Sequence, residues 1–225
     1  PTGLHDDGHV SSAYDMALIA KNLLEEGKDD VLKYTSLMED YIREDTDHRF
    51  WLVNTNKMLR SYPSLDGLKT GYTSQSGYCI TVTAVKDGLR LIAVVMKEPD
   101  KASRTKDAAA LLDYGFANYH RDILMQANEL SEIMSVEKGI PETIQITNAS
   151  ELGLVCRSDE KMIEVNRQLV FYHTEAPILQ NEIVGHITLK LQNGKTISSD
   201  LIALQSSHRL TFWPIFKRCI TEMLA

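Results

Sequence analysis

The run from Tyr78 to Met96 constrains the fold more than any other part of the chain. Tyr78, Ile80, Val82 and Ala84 alternate with Cys79, Thr81, Thr83 and Val85, Asp87-Gly88 supplies a two-residue turn, and Leu89 to Met96 returns as a nearly continuous apolar strand. Apolar residues on both faces of a hairpin require cover on both faces, so helices must flank it. Two candidates are present. Ser12 and Asp15 read as a capping box opening an amphipathic helix over 12–26, stopped by Gly27. After Pro99, Ser103 reads as the cap of a second helix, with Ala108, Leu111, Leu112, Gly115, Phe116 and Tyr119 on one stripe. The order helix, irregular segment (29–63, loops with short helical or extended pieces), hairpin, helix predicts an α+β layer built on an antiparallel sheet.

From about Ala127 the texture changes to short strand-like runs, with Asn193-Gly194 predicting a type I′ turn between the last two. The expected organisation is a first domain over 1–122, a β-rich domain over 123–206 and a terminal segment over 207–225. In that last segment Phe212, Phe216, Cys219, Ile220, Met223 and Leu224 share one helical face. With Trp213 and the nearby Arg209, Lys217 and Arg218, residues 210–225 read as an interfacial membrane anchor or a docked terminal helix. Both halves are mildly acidic within a net charge of −7, which argues against a nucleic-acid partner. Three scattered cysteines build neither a disulfide framework nor a zinc knuckle.

The triplet Lys69-Thr70-Gly71 is the candidate chemistry. It is read as standing at the start of a strand on the sheet's rim, and such a triplet on an edge strand lies beside the nucleophile in serine enzymes that open β-lactams or D-Ala-D-Ala peptides. An ammonium and a hydroxyl there can bind an anion, and a glycine lets an acyl group approach the backbone.

The surroundings make the triplet specific. The stretches TGLHDDGHVSSAYDMALIAKNLL, NTNKML, DGLKTGYTSQSGYCITVTAVKDGLRLIAVVM and LLDYGF follow one another over residues 1 to about 120. In this order and spacing they resemble the serine-type D-alanyl-D-alanine carboxypeptidases, the low-molecular-weight penicillin-binding proteins of bacterial cell-wall metabolism. The resemblance implies the C-terminal part of a β-lactamase/DD-peptidase-like domain, followed by a small mostly-β domain and an amphipathic helix. It implies a serine acyl-enzyme acting on the peptidoglycan stem peptide, with β-lactam antibiotics as inhibitors and no cofactor, at the extracytoplasmic face of a bacterial membrane. It implies that Lys69 and Thr70 bind the substrate's terminal carboxylate, that Tyr72 offers a backbone oxyanion donor and that Thr73 adds a second hydroxyl. Asn54 and Asn56 are assigned to shaping the neighbouring loop, and Thr55 stands where some relatives carry arginine.

The family's serine-x-x-lysine and serine-x-asparagine motifs are expected on an N-terminal portion of the same enzyme preceding Pro1. SRTK (Ser103–Lys106) and SDEK (Ser158–Lys161) fit the first motif only as strings, and no serine-x-asparagine occurs. His5, Asp6, Asp7 and His9 could be drawn as metal ligands but are assigned to a surface loop. Rival readings are a β-lactamase of the same fold and a catalytically inactive wall-binding or scaffolding relative. An aggregation hazard is also expected, from apolar surface left on the hairpin of residues 76–97.

Overall fold

The computed structural model describes residues 6–211. The chain divides after His120 into two compact units.

The first unit opens with helix α1 (Ala13–Thr35), capped by Ser12 through the expected box: Ser12 Oγ accepts from the Asp15 N–H at 3.1 Å, and the Ser12 N–H donates to Asp15 Oδ2 at 3.3 Å. Gly27 does not end the helix. It leaves helical geometry (φ −134°, ψ 31°) and kinks it, and the helix resumes because Val31 and Leu32 pack with Ala20, Leu24, Leu68 and Ile92. The short extended and helical pieces expected over 29–63 are strands β1 (Glu39–Ile42) and β2 (Phe50–Val53), paired antiparallel, and the single-turn helix α2 (Met58–Ser61).

Strands β3 (Leu65–Thr73), β4 (Gly77–Lys86) and β5 (Leu89–Glu98) form a three-stranded antiparallel sheet in that spatial order. Asp87 (φ 50°) and Gly88 (φ 76°) make the predicted turn, with Lys86 opposite Leu89. Ile80, Val82, Ala84, Ala93 and Val95 pack against Ala108 and Leu112 of helix α3 (Lys101–Asn118), while α1 covers the other face. Asp100, not Ser103, caps α3: its carboxylate accepts from the N–H groups of Ala102 and Ser103 at 2.8 and 2.9 Å. An ionised oxygen satisfying two orphan donors at a positive helix end outcompetes a hydroxyl three residues on.

The second unit starts within β6 (Tyr119–Met125). It continues through β7 (Glu132–Ser135), β8 (Gly139–Ile140), β9 (Thr143–Asn148), β10 (Leu152–Arg157), β11 (Glu164–Phe171), β12 (Ile183–Leu191), β13 (Thr196–Ala203) and β14 (His208–Arg209). Five strands form an antiparallel sheet in the order β11-β12-β13-β9-β7 around a core that includes Met134, Ile144, Ile146, Ile178, Ile187, Leu189 and Leu201.

The turn at Asn193-Gly194 differs from the type I′ reading. Only Gly194 takes positive φ (82°); the Gly194 N–H donates to the Leu191 carbonyl and the Leu191 N–H to the Lys195 carbonyl, each at 2.9 Å. That is a type I turn closed by a left-handed glycine. The amphipathic helix read over 207–225 is not helical in its described part: His208–Arg209 is strand β14, paired to β8, and residues 212–225 lie outside the described residues. Among the described residues no helix is long and apolar enough to cross a membrane.

Candidate active site

The triplet Lys69-Thr70-Gly71 lies in the second half of β3, not at a strand start as the sequence reading had it. Leu65, Gly67 and Leu68 already pair with Ala84, Thr83 and Val82, so the strand begins four residues earlier and its glycines are ladder residues. The turn comes afterwards, at Ser74–Ser76, followed by Gly77 in left-handed geometry (φ 65°). In the sheet order β3 stands at one end, so the triplet is on an edge strand.

Two cavities flank β3, and Lys69, Thr70, Gly71 and Tyr72 line both. Toward α1, a cavity of about 300 Å³ is lined by Met16, Lys69, Gly71, Thr73, Ser76 and Cys79, among others. Toward α3, a groove of about 710 Å³ is lined by Asn54, Thr55, Lys57, Lys69, Thr70, Gly71, Tyr72, Tyr78, Lys101, Arg104 and Thr105, with Val53 completing the wall. Lys69 is therefore beside a cleft on each side. Its ammonium donates to the Thr70 carbonyl at 2.7 Å.

Thr70 and Thr55 share a hydrogen bond between their Oγ1 atoms at 2.7 Å, which pins the loop before α2 to the edge strand. Asn54 and Asn56 build that loop. Asn54 Nδ2 donates to the carbonyls of Thr35 and Leu37 at 3.2 and 2.8 Å, and its Oδ1 accepts from the Asn56 N–H at 2.9 Å. Asn56 is buried and its Oδ1 accepts from the Met58 N–H at 3.2 Å.

Gly71 is exposed, and a Cβ built on it would meet only Cys79 Cβ, at 3.9 Å. Its φ is not in the left-handed region, so the fold itself does not require a glycine there. Tyr72 is 60% exposed and stacks on Tyr78 with ring centroids 4.3 Å apart. Thr73 donates to Ser76 Oγ at 2.8 Å and accepts from the Ser76 N–H at 3.0 Å, so its hydroxyl braces the turn.

Two neighbours went unrecognised in the sequence. Thr55 was noted only as a departure, and Arg104 only as the middle of the SRTK string, yet both line the groove. A helix-stripe reading of α3 could have found Arg104, since it stands four residues before Ala108 on the buried face. Ser103 lines neither cavity and donates its hydroxyl to Asp100 Oδ2 at 2.9 Å. SDEK lies in the second unit, after β10. Asp6, Asp7 and His9 do not converge into a metal-ligand cluster among the described residues, and His5 lies outside them.

Comparison with known proteins bears on the family and the fold. A family model described as D-alanyl-D-alanine carboxypeptidase matches residues 1–100. The D-alanyl-D-alanine carboxypeptidase DacF of Bacillus subtilis is 36% identical over 223 residues, covering 99% of this chain and 57% of that protein. DacA of Escherichia coli is 28% identical over 213 residues, covering 90% and 49%. Among solved structures, penicillin binding protein 5 of Haemophilus influenzae superposes with TM-score 0.62 at 25% identity, over 92% of this chain and 59% of that one. PBP3 of Streptococcus pneumoniae gives TM-score 0.64 at 23% identity and shows the shared fold. The chain thus spans about half the length of the curated relatives it matches. By the sequence of residues 1–100, the chain belongs to the D-alanyl-D-alanine carboxypeptidase family.

Proposed function

We propose that this chain forms one wall of the active site of a serine D-alanyl-D-alanine carboxypeptidase that trims peptidoglycan stem peptides outside the bacterial cytoplasmic membrane. The attacking serine comes from polypeptide other than the residues described. Its Oγ adds to the carbonyl carbon of the penultimate D-alanine, the C–N bond breaks, and the amine of the last D-alanine leaves with a proton. Water then hydrolyses the ester and restores the hydroxyl. A β-lactam carbonyl would enter the same path and stop at the ester.

In this scheme Lys69 supplies positive potential to the cleft and to proton transfer, and Thr70, held by Thr55, donates to the substrate carboxylate. The Tyr72 N–H, just past Gly71 on the edge strand, serves as the oxyanion donor. Thr73 would turn its hydroxyl from Ser76 to the carboxylate when substrate binds.

The observation that carries the reading is the empty space over Gly71. A glycine whose missing side chain no fold element needs, placed between the ammonium, the hydroxyl and the groove, fits a site that brings a ligand against the strand backbone. The test is Gly71→Ala in the full-length polypeptide. Its denaturation midpoint should match that of the unaltered protein, because the methyl meets nothing closer than ordinary contact. Acylation by labelled penicillin should fall about a hundredfold, the effect of displacing a reactant by roughly 1 Å. Equal acylation in the two proteins would refute the reading, and rapid loss of the adduct would favour a β-lactamase instead.

A further inference from the structure

Strands β6 and β10 pair with each other outside the five-stranded sheet, and one face of that ribbon gathers three metal-ligating side chains. His120 and Asp122 stand two residues apart on β6, so both belong to the same face. Cys156 stands on β10. One imidazole nitrogen, one carboxylate oxygen and the Cys156 Sγ all lie within 4.8 Å of one another. Donors bound about 2.0–2.3 Å from a tetrahedral zinc ion stand roughly 3.5 Å apart, so the set is within reach of side-chain rotation. Spacing along the chain hides the cluster, because three strands intervene between β6 and β10.

The surroundings suit a cation. Asp122 Oδ2 accepts from the Met162 N–H at 3.2 Å, which orients the carboxylate as the partners of metal ligands commonly do. Behind the sulfur, Cys156 packs with Met162 and Leu191, and Leu124 and Leu154 complete the apolar wall. Burial first, then the negative charges of Asp122 and Glu160, hold the thiol above the ordinary cysteine value, with Lys195 acting the other way. A thiol in that state, 2% exposed, is a poor nucleophile, and neither Cys79 nor Cys156 is in a disulfide. Ligation is the chemistry left to it. A dication displaces the thiol proton outright and is drawn by the same carboxylates that hold the proton in its absence.

We propose that His120, Asp122 and Cys156 form a binding site for a zinc-class divalent cation that ties β6 to β10. Nitrogen, oxygen and sulfur donors together suit Zn²⁺, whereas Mg²⁺ and Ca²⁺ take sets made of oxygen. On binding, Cys156 gives its proton to solvent, the imidazole coordinates through a neutral nitrogen, and no electron changes hands. A water completes the tetrahedron. The inference is independent of the function proposed above, since none of the three residues lines the cavities beside β3.

The experiment takes the full-length protein, freed of metal by a chelator and kept reduced, and titrates it with Co²⁺ as a coloured substitute for zinc. The unaltered protein should develop a thiolate-to-cobalt charge-transfer band that saturates at one equivalent and that Zn²⁺ abolishes. Cys156→Ser should lose the band, and Asp122→Asn should weaken cobalt binding about tenfold or more, the scale on which metal sites respond to a lost supporting group. Zinc should also raise the melting temperature of the unaltered protein by a few degrees and leave that of His120→Ala unmoved. A band absent from the unaltered protein, or retained in Cys156→Ser, overturns the inference. Where Cys156→Ser does not fold, His120→Ala takes its place, and a cobalt affinity equal to that of the unaltered protein overturns it in the same way.

Discussion

Among single residues, Tyr62 shows most directly how one contact sets a pH response. Its hydroxyl donates to Asp113 Oδ1 at 2.8 Å, linking the end of α2 to α3. Burial first, then the hydrogen bond and negative charge of Asp113, push its pKa up to about 12 from 10.0. The folded state therefore favours the neutral phenol. The associated stability is fully present below the unfolded pKa near 10 and is lost as pH rises through about 12. Denaturation midpoints of the unaltered protein and Tyr62→Phe, measured from pH 8 to 12, should differ at pH 8 and converge toward pH 12. A constant difference would contradict the assignment. The contact between residues 62 and 113 was not legible in the sequence, because no periodicity links positions 51 apart. Lys69, Thr70 and Gly71 were legible, because their triplet precedes an alternating apolar run.

At the scale of elements, what could be read followed from burial. Strands β4 and β5 and helix α3 each bury a defined face, and that asymmetry is written in their apolar spacing. Strands β1 and β2 are exposed at every position, so neither alternation nor a stripe fixes their bounds, and the sequence there reads only as loops with short helical or extended pieces. Helix α1 outran its stop signal because packing of Val31 and Leu32 outweighs the local cost of Gly27.

The seam between α1 and β3 depends on a second glycine. A Cβ on Gly67 would stand 2.8 Å from Thr35 Oγ1, the hydroxyl that donates to the Asp66 carbonyl at 3.2 Å. Gly67→Ala should lower stability by roughly 1–3 kcal/mol, the usual cost of overpacking, as read from chemical denaturation. Gly71→Ala, on the same strand, should not. Equal behaviour of the two variants would show that the clash at Gly67 is relieved without cost.

Among the described residues, each of the two units has its own buried clusters. The second unit's core, from Met125 to Ala203, shares no residue with the layers around β3, β4 and β5. The hazard expected from the hairpin at 76–97 is displaced, since α1 and α3 cover that sheet. Apolar surface is found instead on Tyr14, Leu18, Ile19 and Leu23 of α1 and on Phe50, Trp51 and Leu52 of β2. Patches of this kind bind hydrophobic dyes and promote association. The 225-residue chain on its own should enhance anilinonaphthalene sulfonate fluorescence several-fold more than the full-length polypeptide does. Equal enhancement would mean that nothing beyond this chain shields those side chains.

The position of β3 at the end of its sheet has a final consequence. Its outer border presents amide and carbonyl groups at a fixed repeat, a ready template for another extended chain. A guest aligned there is measured by the handedness and reach of its main chain, which leaves the identity of its more distant side groups almost unread.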